Sequence, residues 1–503
     1  MTMTNLGKLF APFADDDAVA ITDLSAGDGA ADVGYDEFDR RCDAVARGLT
    51  GAGIGRGDRV GILALNCGAY LEVLFGAMRA GAVPVPLNLK LPDAALETIA
   101  DDAGIRLLFA DAGNAGRSRA VDREVVFGSE EDLALRDPGP FEALDMAADD
   151  VALQPYTSGS TGRPKGVLLS HAGQLWCAPT MARARNLDRS NRVMVAAPLY
   201  HKNALVQVKL ALATGGRMVL LDRFDAQRYL QAIADYGCSM MSGVPTMFWL
   251  LLREEELLDR LAFPALQTIS MGSAPASEAL LKALKARFPG VAVVSNYGIT
   301  EGGPVMFGPH PDGLPRPAGA IGYPLPGTEA ALRDGPSTDE GTLWVRNPGV
   351  MLGYHNLPEA TAARFDDGWF DTGDICRRDG NGWFYFVGRA DDMFVCGGEN
   401  IYPADVEKRL ESHPAVRQAV VLPFADELKG QLPFAFVVPA AGAAVDEAAL
   451  KAHALANGPA YAHPRRVLFL DALPLTGTNK IDTRALRALV AEGAAPGASD
   501  GVR

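Results

Sequence analysis

The chain has 503 residues, of which 48% are hydrophobic and 22% charged, a balance typical of a globular protein. A chain of this length exceeds what one hydrophobic core usually holds, so we expect two or more domains. Its formal net charge of −15 argues against nucleic acid or an anionic membrane as a partner.

The cysteines and the apolar stretches indicate a cytoplasmic protein. The 6 cysteines are scattered, with no C-x-x-C pair and no histidine cluster, as expected for reduced, buried thiols. The N-terminal segment turns acidic at residues 15–17 and lacks the apolar run of a signal peptide. Charged residues interrupt the most apolar stretch, residues 193–221, so no membrane-spanning helix is predicted.

Short β-rich segments alternate with helical ones through the first part of the chain. Residues 60–85 predict a strand, a helix and a second strand in that order. The same order returns with strands at 266–271 and 291–295 around a helix at 277–288, whose apolar side chains share one face. Repeated strand–helix–strand units predict parallel sheets with helices on both faces.

From residue 391 the pattern changes to a smaller α+β unit. Helices and strands are predicted there at 403–412, 416–422, 434–438 and 446–456. The last residues, 492–503, are small and polar, which is typical of a flexible tail. We therefore predict an α/β protein with a large N-terminal domain of parallel-rich sheets and flanking helices at 1–390, and a small α+β C-terminal domain at 391–491.

A segment rich in glycine and hydroxyl groups, residues 157–166, follows a predicted strand at 151–156. Glycines let the backbone approach an anion, hydroxyl and N–H groups donate to it, and Lys165 adds positive charge. The segment does not fit the Walker pattern, and a flexible linker of the same composition is the alternative. Its position directly after a strand favours a phosphate-binding loop.

Three further loops also follow predicted strands, at residues 198–203, 272–275 and 296–301. Because ligands bind outside the carboxyl ends of parallel strands, these loops predict one composite pocket. Tyr297 offers a ring on which a base can stack, and Glu301 offers a hard oxygen for Mg²⁺. Taken singly, Tyr297 is equally well explained as a core aromatic residue, and a lone His201 is more often structural than catalytic.

Four long motifs occur in order along the chain: TSGSTGRPKG, NYGITEGGP, WFDTGD and GRADDMFVCGGENIYPADVE. They resemble the signature motifs of the adenylate-forming superfamily, which includes acyl-CoA synthetases, firefly luciferases and the adenylation domains of peptide synthetases. The similarity spans residues 30–490 and is of the aryl- and fatty-acid–CoA ligase type, resembling 4-chlorobenzoate and 4-coumarate CoA ligases.

This resemblance implies an ATP-dependent acid–CoA ligase. Carboxylate and ATP would give acyl-AMP and pyrophosphate, and CoA would then give acyl-CoA and AMP. The implied cofactors are ATP, Mg²⁺ and coenzyme A, and the implied partner is a small carboxylic acid. We expect a monomer or homodimer with no nucleic-acid partner.

The resemblance also implies a role for each matching residue. ATP would be bound by Thr157, Ser158, Gly159, Ser160, Thr161, Gly162, Lys165, Gly272, Ser273, Ala274, Asn296, Tyr297, Gly298, Asp374 and Arg389. Among these, Tyr297 would stack on adenine, and Asp374, helped by Arg389, would bind the ribose. Catalysis would involve Lys480, Thr300, Glu301 and His201, with Glu301 also holding Mg²⁺. CoA would contact Gly397, Gly398 and Glu399, and Asp391 would be the hinge of a mobile C-terminal domain.

The acid would lie against His201, Lys202, Asn203, Phe248, Gly298, Gly303 and Pro304, with Met247 and Ile299 as further apolar walls. The loop at 198–203 has no aspartate to hold an amine, so an amino acid is not expected. The stretch after Glu301 resembles that of hydroxycinnamate-CoA ligases and favours an aromatic or aryl-alkenoic acid. A medium-chain fatty acid, or an acyl-AMP ligase serving another acceptor, is the alternative. Lys202 is predicted to point to solvent rather than to meet a second polar group of the acid.

Two positions depart from the family pattern. Asn479 stands before Lys480 where glycine is usual, and residues 461–464 are YAHP where Tyr-Lys-x-Pro is common. The second departure leaves the contacts to the CoA phosphates open, with Arg465 and Arg466 as substitutes. A luciferase-like oxidase and a non-catalytic ATP sensor are further alternatives, and the retained Lys480 argues against the sensor.

Overall fold

The computed structural model describes residues 3–26, 29–121, 123–158, 164–274, 276–303, 306–396, 399–475 and 481–491. The strands in these ranges are β1 (Val19–Asp23), β2 (Ala31–Gly34), β3 (Arg59–Leu63), β4 (Val83–Pro86), β5 (Ile105–Ala110), β6 (Glu124–Val126), β7 (Val151–Leu153), β8 (Tyr156–Ser158), β9 (Pro164–Ser170), β10 (Arg192–Val195), β11 (Arg217–Leu220), β12 (Met240–Gly243), β13 (Thr268–Met271), β14 (Ala292–Ser295), β15 (Phe307–Gly308), β16 (Ala320–Pro324), β17 (Glu329–Ser337), β18 (Glu340–Arg346), β19 (Gly353–Tyr354), β20 (Phe365–Asp366), β21 (Trp369–Arg378), β22 (Phe384–Arg389), β23 (Phe394–Cys396), β24 (Glu399–Ile401), β25 (Val416–Asp426), β26 (Gly430–Pro439) and β27 (Arg466–Phe469).

The helices in the same ranges are α1 (Tyr35–Gly51), α2 (Gly68–Arg79), α3 (Asp93–Ala103), α4 (Glu130–Leu135), α5 (His171–Ala184), α6 (Lys202–Thr214), α7 (Ala226–Asp235), α8 (Pro245–Leu252), α9 (Glu255–Arg260), α10 (Glu278–Arg287), α11 (Pro358–Ala362), α12 (Pro403–Glu411), α13 (Glu447–Ala456) and α14 (Thr483–Ala491).

The N-terminal part is built around a central sheet with the strand order β14-β13-β12-β10-β11-β1-β2. Its neighbouring strands pair in parallel, except for β1 and β2. A second sheet, β4-β3-β5-β6, is parallel throughout. Parallel neighbours need a crossover connection, and helices such as α10, between β13 and β14, provide it. The predicted α/β fold class is therefore confirmed.

Local sequence explains where such a crossover helix begins and which face it buries. The Ser277 side chain accepts a hydrogen bond from the backbone N–H of Leu280, which caps the first turn of α10. Leu280 and Leu284, four residues apart, share one face and are fully buried. The predicted helix at 277–288 thus forms, with ends one residue shorter on each side.

Residues 307–389 contain an antiparallel sheet that the sequence analysis does not predict. Its order is β15-β16-β22-β21-β18-β17, with β20 against β21. A smaller antiparallel sheet joins β19, β9 and β7, and β8 also pairs with β9. Two of these pairings, β16 with β22 and β19 with β9, join segments that are distant in the sequence, so they bring residues together in a way that periodicity cannot reveal.

The C-terminal unit has its own sheet, β24-β23-β26-β25, with β27 beside β26. The predicted elements at 403–412, 416–422, 434–438 and 446–456 all appear, as α12, β25, β26 and α13. Carboxylates of α12 protect the free edge of β25, since Glu407 accepts from the N–H of Val421 and Glu411 from that of Ala419. Burial raises the pKa of Glu407 to about 8.

A buried histidine connects the N-terminal segment to α5. His171 is fully buried, and its Nδ1 accepts a hydrogen bond from the N–H of Leu6 at 2.9 Å. Burial lowers the pKa of His171 to about 4, so the folded protein keeps the imidazole neutral. The unfolded chain takes up the proton near pH 6.5, which means that unfolding becomes more favourable as the pH falls from about 6.5 to about 4.

We expect His171→Gln to flatten this pH dependence. The histidine alone can remove up to roughly 3 kcal/mol of stability across that range. The measurement is the melting temperature of both forms between pH 7.5 and 4.5. His453→Gln, in the C-terminal unit, is the control and should keep the wild-type slope. If the melting temperature of His171→Gln fell with pH as steeply as that of the wild type, His171 would not be the source of this pH dependence.

Candidate active site

The carboxyl ends of β10, β13 and β14 meet at one edge of the central sheet. The predicted loops at 198–203, 272–275 and 296–301 follow these strands, and residues from all three line one cavity of about 130 Å³. This volume is comparable to that of a cavity of roughly 150 Å³ that holds a benzene ring. Of the predicted acid-pocket residues, His201, Lys202, Asn203 and Gly298 line it, as do Met247 and Ile299.

Lys202 does not point to solvent, and that prediction is wrong. Its side chain is 9% exposed, and Nζ donates to the backbone carbonyl of Thr300 at 2.7 Å. Burial, followed by the like charge of Lys209, lowers the pKa of Lys202 to about 7. Lys202 is buried because α6 begins at this residue, which places its side chain against the loop that contains Thr300.

Two predicted pocket residues lie elsewhere, and a third, Pro304, falls outside the described residues. Phe248 is fully buried in the main core and does not line the cavity. Gly303 also lies off the cavity, and its φ of +103° is one that side chains rarely adopt. A Cβ at Gly303 would approach Oδ1 of Asn347 to 3.3 Å.

We therefore expect Gly303→Leu to act on the scaffold rather than on acid selectivity. A side chain at this φ costs about 1–3 kcal/mol, so the melting temperature should fall and all acids should lose activity in proportion. The measurement is the melting temperature together with kcat/KM for benzoate, cinnamate, hexanoate and propionate. A loss of kcat/KM confined to the larger acids would show that Gly303 does line the acid pocket.

Glu301 lies beside the β8–β9 hairpin, where two hydroxyl groups reach it. Thr157 Oγ1 donates to Glu301 Oε1 at 3.3 Å, and the Tyr354 hydroxyl donates to the same oxygen at 3.4 Å. Lys165 Nζ lies 5.0 Å from the centre of the Tyr354 ring. Mg²⁺ binds through one or two carboxylates plus substrate phosphates, and this group of oxygens beside a lysine fits that requirement. Tyr354 was not predicted, because only the pairing of β19 with β9 places it here.

The hairpin itself holds the two ends of the predicted phosphate loop. Thr157 and Lys165 are directly opposite each other on β8 and β9. The intervening candidates Gly159, Ser160, Thr161 and Gly162 lie outside the described residues, and of Ser158 only the backbone is described. The loop therefore stays a prediction, with Thr157 in contact with Glu301 and Lys165 near the Tyr354 ring.

Tyr297, Asp374 and Arg389 form one contact group. The Tyr297 hydroxyl donates to Oδ2 of Asp374 at 2.5 Å, and Arg389 lies 3.4 Å from Oδ1. Asp374 and Arg389 are cross-strand partners on β21 and β22. Burial raises the pKa of Asp374 to about 6, while Arg389 opposes that rise. The Tyr297 ring also packs against Phe307 and Phe386, as expected for a core aromatic residue. Its hydroxyl at the same time contacts Asp374, a predicted site residue.

The remaining nucleotide candidates lie on the cavity side of β13 and β14. Gly272 and Ser273 line the cavity, and Ala274 follows them in an exposed position. The Asn296 amide donates to Oγ of Ser270 at 2.9 Å and accepts from Arg185 at 2.9 Å. These two bonds hold the Asn296 side chain against Ser270 of β13 and against Arg185.

Comparison with known proteins identifies the family. The model of the family described as "AMP-binding enzyme" matches residues 13–355, and that of the family described as "AMP-binding enzyme C-terminal domain" matches residues 405–480. The chain belongs to the AMP-binding enzyme family. The resemblance inferred from the motifs is thus confirmed, and so is the predicted type of enzyme, an acid–thiol ligase of the acyl-CoA synthetase class.

Relatives of this AMP-binding enzyme include ligases of several acids. A feruloyl-CoA synthase of an Amycolatopsis species is 37% identical over 89% of this chain and 92% of its own length. A 2-succinylbenzoate–CoA ligase of Geobacillus kaustophilus is 34% identical over 88% of this chain and 90% of its own length. The solved anthranilate CoA ligase AuaEII, in complex with anthranoyl-AMP, has a TM-score of 0.85 at 25% identity and covers 97% of this chain and 98% of that chain. The predicted use of ATP, Mg²⁺ and CoA is confirmed at the level of this family.

Residues predicted to act from the C-terminal domain are only partly described in this AMP-binding enzyme. Gly397, Gly398 and Lys480 lie outside the described residues. Glu399 is exposed at the start of β24. Asp391 lies between β22 and β23, with its carboxylate 3.7 Å from Arg364 and 3.9 Å from Arg389. No helix in the described ranges is both long and apolar enough to cross a membrane.

The sequence analysis missed several cavity residues, among them Arg185, Val206 and Gln207. Val206 and Gln207 follow Lys202 and Asn203 by four positions on α6, so helical spacing could have identified them. Arg185 had no such signal. It follows the last residue of α5, and only the packing of α5 near β14 brings it to the cavity.

Proposed function

We propose that this enzyme joins an aromatic or aryl-alkenoic acid to coenzyme A through an acyl adenylate. The proposal depends chiefly on one observation, a cavity of about 130 Å³ lined by Thr300, the residue that precedes Glu301. A carboxylate beside Thr300 would face the phosphate-binding residues, and its ring would contact Met247 and Ile299. The feruloyl and anthranilate ligases among the relatives support the aromatic class.

The first half-reaction joins two anions, so it needs positive charge at the meeting point. An oxygen of the acid attacks the α-phosphorus of ATP, and the bond from that phosphorus to pyrophosphate breaks. We assign the β- and γ-phosphates to the 157–166 loop and Lys165, and the α-phosphate to Thr300. Lys480 would arrive from the C-terminal domain to offset the developing charge. Mg²⁺ held at Glu301 would supply further charge neutralisation when bound.

The second half-reaction transfers the acyl group to sulfur. The CoA thiol, losing its proton, attacks the acyl carbon, and the carbon–oxygen bond to AMP breaks. We assign Tyr297 to stacking on adenine and Asp374, with Arg389, to the ribose. Because Asp374 is engaged by Tyr297 in this structure, ribose binding would require that contact to loosen.

A moving C-terminal domain would serve both steps. We propose a boundary after residue 390, with the domain at 391–491 turning about Asp391. It would present Lys480 first and then Gly397, Gly398 and Glu399 to the pantetheine arm. We propose a monomer or homodimer, and the free, mostly buried cysteines support a cytoplasmic enzyme.

The test is pyrophosphate release over a panel of benzoate, cinnamate, hexanoate and propionate, with and without CoA. We expect release with the ring-bearing acids and CoA-dependent formation of AMP. A preference for straight-chain acids over every ring-bearing acid would overturn the aromatic class. Release without CoA-dependent AMP would favour the alternative, an acyl-AMP ligase serving another acceptor.

A further inference from the structure

The cavity contains two cations and no acidic side chain among the described residues that line it. Arg185 lies at the end of α5, and Lys202 at the start of α6. A buried charge is normally kept only when an opposite charge accompanies it. Arg79 follows that rule in this chain, since it is fully buried and pairs with Asp39 and Asp43. Arg185 therefore needs another explanation, whereas the Glu301 carboxylate supplies an opposite charge near Lys202.

Arg185 has one neutral partner and one nitrogen that has none within the described ranges. Its Nη2 donates to Oδ1 of Asn296 at 2.9 Å, whereas Nη1 is enclosed and makes no hydrogen bond. Burial, followed by the like charge of Arg316, lowers the pKa of Arg185 to about 10, so it stays charged at neutral pH. Arg316 does not neutralise Arg185, because it is itself a cation, and it donates to the carbonyls of Ser295 and Gly308.

Lys202 is also held by a neutral group. Its Nζ donates to the carbonyl of Thr300, and the next cation on α6, Lys209, donates to the side chain of Gln174. Burial lowers the pKa of Lys209 to about 8 as well. An anion placed near these groups would favour their charged forms and offset the cost of their burial.

We propose that the acid carries a second anionic group, a carboxylate, which Arg185 binds inside the cavity. This rests on the proposed function, because it specifies the acid that the same site takes. A guanidinium binds a carboxylate through directed N–H bonds. The amides of Asn203 and Gln207 lie on the same wall, and the buried oxygen of Gln207 has no hydrogen-bond partner in the described ranges. Rotation of that amide would turn its NH₂ group toward the bound anion.

The experiment compares acids in matched pairs that differ only in the second carboxylate. The pairs are benzoate with 1,4-benzenedicarboxylate, cinnamate with 4-carboxycinnamate, and hexanoate with hexanedioate. The monomethyl ester of each diacid separates charge from size. We expect at least one diacid to exceed both its monoacid and its ester in kcat/KM by about tenfold or more. Arg185→Gln should reduce that ratio by at least about tenfold, because a buried charge pair loses one partner.

Arg183→Gln is the matched control, since Arg183 is exposed on the same helix and should leave the ratio unchanged. A second readout is the shift in melting temperature caused by each acid without ATP, which also shows whether each variant folds. Thioester formation with no preference for any diacid, or a preference that Arg185→Gln leaves intact, would overturn the proposal while the ligase function stands. Stabilisation of the wild type but not of Arg185→Gln by a diacid, with no thioester formed, would support the anion site and reject the proposed function.

Discussion

Lys480→Ala should slow the adenylation half-reaction by about 10²–10³, the loss typical of one preorganised electrostatic donor. A carboxylate must approach the phosphates of ATP, and two anions repel each other unless cations lie between them. Lys165 and Glu301-bound Mg²⁺ would serve the terminal phosphates, which leaves the attacking oxygen to Lys480. The residues that flank its segment, Leu475 and Ile481, pair with each other in the C-terminal unit.

The two half-reactions must be measured separately to test this role. Pyrophosphate release reports the first, and thioester formation from supplied acyl-AMP reports the second. The second should change far less in Lys480→Ala, because the lysine would then have moved away. Lys451→Ala, on α13 of the same unit, removes a lysine that pairs with Glu447 and is the control. Equal losses in both half-reactions would rule out the hinged two-step interpretation.

Asp391→Pro should stop thioester formation while acyl-AMP still accumulates. Proline fixes φ near roughly −65°, so the backbone at the proposed hinge could no longer turn between two states. The substitution should cost little folded-state stability, because Asp391 is about half exposed and its nearest cations lie 3.7 and 3.9 Å away. The loss would therefore reflect restricted movement rather than unfolding.

Asp391→Asn is the matched control, because it removes the charge but keeps the backbone free. It should form thioester at close to the wild-type rate. Single-turnover assays that follow acyl-AMP and acyl-CoA in the same sample would distinguish the two variants. Thioester formation at the normal rate by Asp391→Pro would remove Asp391 from the hinge role.

The sequence by itself determined the fold class, the enzyme type and the edge of the sheet where the site lies. The fold class and the edge follow from local information, because helices and strands are set by short-range periodicity and loops after parallel strands must share one edge. The enzyme type follows from the resemblance of four motifs to the adenylate-forming superfamily. The loops at 198–203, 272–275 and 296–301 meet as predicted, and the hairpin places Thr157 in contact with Glu301 and Lys165 opposite Thr157.

Only the tertiary structure decided which side chains enter the cavity and in what electrostatic state. Lys202 is buried, and Arg185 reaches the same cavity from a different helix. Tyr354 reaches Glu301 because β19 pairs with a strand far earlier in the chain. Such contacts depend on how separate elements pack, and burial then sets the pKa of each group. Neither quantity is encoded in the spacing of residues along one segment, which is why Lys202 was expected in solvent and lies instead beside Thr300.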